Sequence, residues 1–89
     1  FNQSKTKTMT IQEYANKYGA RKTAIKLVSY TIYQKIGLSV DDLPDTSELC
    51  NMYDDLEELI EDGYEENKEQ VKDILSQIDD DFIINQALN

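Results

Sequence analysis

The chain has 89 residues, of which 9 are basic and 18 acidic for a net charge of -9, with no histidine, no tryptophan and one cysteine. That length holds one small domain. Those counts exclude histidine and cysteine zinc sites, Ser/His or Cys/His nucleophile pairs and an intrachain disulfide, so neither an enzyme nor a cofactor is expected. The longest apolar stretch, residues 24 to 33, is broken by Lys26 and Ser29 and falls short of the ~20 residues of a membrane span. The unpaired Cys50 fits a reducing compartment, and the expectation is a cytoplasmic protein with no membrane contact.

The net charge conceals a division. Residues 1 to 35 hold Lys5, Lys7, Lys17, Arg21, Lys22, Lys26 and Lys35 against Glu13 alone, a balance of +6. Residues 36 to 89 hold 17 carboxylates against Lys68 and Lys72, a balance of -15.

In chain order, residues 1 to 9 read as a flexible arm or tag remnant, and residues 10 to 89 as a single helical domain. Thr10 and Glu13 have the spacing of a capping box, which starts a helix carrying Ile11, Tyr14, Ala15 and Tyr18 on one stripe and stopping at Gly19. A second helix is expected from Arg21 or Lys22 to Ile36, ending at Gly37. Ile25, Val28, Ile32 and Ile36 form one side of it, and Leu27, Tyr30 and Tyr33 broaden its apolar face, so it is placed at the centre of the fold. Pro44 makes residues 38 to 45 a connector with at most one short turn. A third helix begins near Thr46, with Leu49, Met52, Tyr53, Leu56, Leu59 and Ile60 at spacings of three and four, and ends at Gly63. Residues 65 to 78 give a fourth, with Val71, Ile74, Leu75 and Ile78 inward. Asp79, Asp80 and Asp81 cap a short last helix from Phe82 to Leu88. The fold class is therefore all-α, a compact bundle of four or five short helices. Tyr14, Tyr18, Tyr33 and Tyr53 are expected to fill the core of a domain without tryptophan.

Ala15, Gly19, Ile25 and Val28, with Tyr14, Tyr18 and Ala20 between and around them, resemble the spacing signature of helix-turn-helix DNA-binding motifs over residues 11 to 30. The spacing suits a close helix crossing at the small residue and a tight turn at the glycine. The resemblance implies a DNA-binding regulator, of the kind phages and plasmids carry, acting as a homodimer on double-stranded DNA. It places Arg21, Lys22, Thr23 and Lys26 at the groove and Lys5, Lys7 and Lys17 on phosphates. Dimerisation would use the face from Leu49 to Ile60 or the apolar C-terminus, residues 82 to 88.

The acidic half supports a second reading. Asp54, Asp55, Glu57, Glu58, Glu61 and Asp62, followed by Glu65 and Glu66, form a run free of cations. Carboxylates on a rigid helix can occupy the cationic groove of a basic nucleic-acid-binding protein and act as a nucleic-acid mimic. Small acidic helical inhibitors of mobile elements, anti-CRISPR proteins and antitoxins among them, are similar in composition. No metal site is expected, because the alternating oxygen ligands and central glycine of an EF-hand loop are missing.

Overall fold

The computed structural model describes residues 9–88, so Lys5 and Lys7 lie outside the described residues. Thr10 caps the first helix, α1 (Ile11–Tyr18), as a reciprocal box: its hydroxyl accepts from the Glu13 amide at 3.1 Å and its own amide donates to the Glu13 carboxylate at 2.9 Å. Gly19 ends α1 with φ +98°, a conformation that costs glycine little, and its amide donates to Ala15 O at 2.8 Å. That single residue separates α1 from α2 (Ala20–Ile36), which stops at Gly37 in the left-handed conformation.

A 3-10 turn (Val40–Asp42), capped by Ser39, carries the chain past Pro44 to α3 (Ser47–Gly63). The Thr46 hydroxyl caps α3 by accepting from the Leu49 amide at 3.1 Å. It also meets the side-chain oxygen of Gln86, a residue with no exposed surface, whose amide nitrogen donates to Glu48 at 2.8 Å. The first turn of α3 is thus held by a polar group from 40 residues away. α4 (Lys68–Leu75) begins three residues later than the sequence expectation. Tyr64 is buried at the intervening turn, and the Asn67 side chain there donates to Leu59 O at 3.0 Å. Asp79 caps α5 (Asp80–Ala87), accepting from the Phe82 amide at 2.8 Å.

All regular structure among the described residues is helical, as expected for an all-α bundle. The core runs between α2 and α3: Ala24, Val28 and Ile32 meet Leu49, Met52, Tyr53, Leu56 and Ile60, closed by Val71, Ile78 and Ile83 from the later elements. α2 touches α1, α3, α4, α5 and the 3-10 turn, and so is the central helix. Its buried side is narrower than the sequence implies. Tyr30, Tyr33 and Ile36 face solvent, because the neighbours of α2 cover only the side bearing Ala24, Val28 and Ile32. Of the four tyrosines expected in the core, Tyr53 is buried and Tyr14 half-buried, whereas Tyr18 and Tyr33 are exposed. No helix of the described residues is long and apolar enough to cross a membrane.

Candidate functional site: a cationic helix beside an acidic one

The residues expected at a DNA groove separate into three environments. Lys17, Lys22 and Lys26 project into solvent. The ammonium groups of Lys17 and Lys22 lie over the Tyr18 ring, 5.4 and 5.9 Å from its centroid, so the ring links the end of α1 to the start of α2. Thr23 does not join them. It is 2% exposed, and its hydroxyl donates to Gly19 O at 2.8 Å, which satisfies the group within the fold and leaves it unable to reach a duplex.

Arg21 turns toward α3. Its guanidinium donates to Asp54 and, at 3.1 Å, to Glu57, and it stacks over the Tyr53 ring at 5.6 Å. The Asp54 hydrogen bond is the main reason its pKa is raised, against some desolvation and with help from Glu57. Arginine suits this place because its planar fork reaches two carboxylates while its flat face covers a ring. Arg21 therefore ties the cationic helix to two members of the acidic set and is not a free groove residue. Both sides of the pair are open to water, so it steers orientation more than it stabilises.

The carboxylates themselves are set out by α3. Its inner side is fixed by the buried Leu49, Met52, Leu56 and Ile60, so of the apolar residues expected at a dimer contact on this helix Leu59 alone is half-buried. Of the C-terminal alternative, Ile84 and Leu88 remain exposed. On the outer side Asp54, Glu58 and Glu61 recur at four and three residues, flanked by exposed Asp55 and Asp62 and half-buried Glu57. No group of acidic, cysteine or histidine side chains among the described residues has the arrangement of a metal site. Beneath this surface, burial pushes the Tyr53 phenol to a higher pKa than usual, with Asp45 adding to the effect. Cys50 is exposed one turn before Asp54.

The sequence missed two features of this region. The Arg21 clamp spans 33 and 36 residues, a separation at which no local pattern operates. The exposed tyrosines carry the same helical period as a core stripe, and only the positions of the neighbouring helices distinguish the two.

Comparison with protein-family models, with curated proteins and with solved structures finds no match. The functional reading therefore rests on the chemistry of this chain.

Proposed function

We propose that the protein is a protein-binding module whose acidic α3 face occupies a cationic surface of a nucleic-acid-binding partner, in the manner of an inhibitor or nucleic-acid mimic. The density of fixed charge is the observation that carries this reading. Six carboxylates between Asp54 and Asp62 share eight helical rises, about 12 Å, or one charge per ~2 Å. Duplex DNA carries about one per 1.7 Å of axis. Arg21 offsets one of the six, and the core holds the helix rigid, so a cationic groove gains these contacts without ordering a flexible chain.

The test is affinity capture from a lysate with two baits, the wild-type protein and Glu58→Lys/Glu61→Lys/Asp62→Lys. The wild type should retain a basic nucleic-acid-binding protein and displace labelled DNA or RNA from it, and the charge-reversed bait should do neither. Equal retention by both baits, or a captured protein whose nucleic acid stays bound, overturns the proposal.

A second reading, a helix-turn-helix regulator that binds duplex DNA, is favoured by the solvent-facing Lys17, Lys22 and Lys26 around the junction of α1 and α2. With Thr23 buried and Arg21 held by carboxylates, Lys17, Lys22 and Lys26 are the expected DNA contacts that remain free to meet phosphates among the described residues. Binding would then be weak and lose affinity with salt at a slope of roughly 0.9 per phosphate neutralised. Fluorescence anisotropy with random duplex should show salt-sensitive binding abolished by Lys22→Glu/Lys26→Glu. Absence of binding at low ionic strength removes this reading.

A further inference from the structure

The side of α2 opposite Ala24, Val28 and Ile32 carries Lys22, Lys26, Tyr30 and Tyr33, successive positions four, four and three residues apart and therefore on one line. Tyr30 is 63% and Tyr33 60% exposed. With Lys26, Ser29 and Ser39 they border a shallow depression of about 220 Å³. Large rings left in water beside lysines form a cationic and aromatic surface, and tyrosines of this kind are frequent anchors of protein interfaces.

A surface of the opposite character lies between α3 and α4. A groove of about 380 Å³ there has Leu59 and Ile74 as its apolar part and Asp55, Glu58 and Asp73 as charged rims, with Gln70 and no cation among its lining residues. Through Asp55 and Ile74 it continues into a second depression that adds Met52, Phe82 and Glu48. The α2 face and this groove share no residue, and α2 is anchored by its own buried side, so a molecule cannot fill its own groove.

We infer that the α2 face of one copy docks into the α3/α4 groove of a second copy, head to tail. Tyr30 and Tyr33 lie over Leu59 and Ile74, and Lys22 and Lys26 meet Asp55, Glu58 and Asp73. The contact is heterologous, so a pair keeps one unused face on one copy and one unused groove on the other, and association continues with concentration. Two chains of -9 repel at long range, but at about 0.1 M salt charges interact over only about 10 Å, which leaves the complementary local contact to decide. The inference does not depend on a foreign partner, and Glu61 and Asp62, which serve the proposed function, do not line the groove.

Light scattering after size exclusion over a concentration series tests it. At about 0.1 M salt the average mass should climb with concentration, and at about 1 M, where screening shortens to about 3 Å, it should return to that of one chain. Lys22→Glu/Lys26→Glu and Asp55→Lys/Glu58→Lys should each give the mass of one chain at every concentration. All four positions are exposed, so the variants should keep the wild-type circular dichroism spectrum, which is the check that they are folded. Mixing the face variant of Lys22 and Lys26 with Tyr30→Ala/Tyr33→Ala, both with intact grooves, should give no complex. The reversed-face and reversed-groove variants, each of one-chain mass alone, should bind each other on mixing and regain the rise of mass with concentration, because the reversed face fits the reversed groove and the unaltered face fits the unaltered groove. Glu61→Lys/Asp62→Lys should associate as the wild type does, which separates this inference from the proposed inhibitor role. A constant one-chain mass for the wild type, association that the substitutions leave untouched, or failure of the two charge-reversed variants to pair overturns it.

Discussion

α2 and α3 are both 17 residues long and pack their inner sides against each other, yet their outer sides are chemically opposed. α2 shows lysine and tyrosine to solvent, whereas α3 shows aspartate and glutamate. The inner sides determine the fold and are mainly apolar, with the Thr23 hydroxyl bonded to Gly19 O, while the outer sides are free to carry whatever a partner requires. The two surfaces meet at Arg21, where a residue of the basic helix is held by carboxylates of the acidic one.

The comparison implies a hierarchy of effects. The inner sides should break first and equally: Leu56→Ala on α3 and Ile32→Ala on α2, both at sites with no exposed surface, should each cost about 2–5 kcal/mol in urea unfolding. For a domain with total stability of roughly 0.05–0.15 kcal/mol per residue, that is a large share. An unequal result, with one helix tolerant of truncation, would show that the core does not depend on both. Next is Gln86→Leu, which leaves the buried Thr46 hydroxyl proton without an acceptor, while the hydroxyl oxygen still accepts from the Leu49 amide and Glu48 turns to water, and should cost about 1–3 kcal/mol in the same assay. The outer sides should respond little. Glu58→Lys/Glu61→Lys should change stability by no more than about 0.5 kcal/mol per site, in the stabilising direction because it relieves like-charge repulsion. The smallest effect belongs to the boundary between the helices and is visible only in alkali. The raised pKa of Tyr53 means the folded chain keeps that proton to higher pH than the unfolded chain does. Its contribution to stability is complete below about pH 10 and falls as pH rises through the folded value. Urea midpoints measured across this range should drop more for the wild type than for Tyr53→Phe.

Much of the fold was legible because its punctuation is local. Thr10 with Glu13, Gly19, Gly37, Thr46 and Asp79 each mark a helix end through a bond or a backbone angle that depends on a few neighbouring residues. The α4 boundary was less legible because Tyr64 and Asn67 delay the helix through contacts with α1 and α3: the Tyr64 amide donates to the Gln12 side chain at 3.2 Å, and Asn67 bonds Leu59 O. The candidate site was half legible. The lysines and carboxylates were visible as charge runs. The burial of Thr23 and the exposure of Tyr30 and Tyr33 depend on which sides of α2 its neighbours cover, and periodicity carries no information about that.

Gln86 has a consequence for the order in which the chain can acquire its shape. The hydroxyl that begins the acidic helix and the glutamate in its first turn both find their partner in a side chain 40 and 38 residues downstream. During synthesis, at about 5–20 residues per second, residues 46 to 63 emerge seconds before the glutamine that completes their cap. The local cap of Thr46 on the Leu49 amide can form at once, but the two bonds to Gln86 wait until α5 has been made. Trimming the last turn should slow or weaken assembly at a point remote from the cut, since a long-range closure is among the later events in folding.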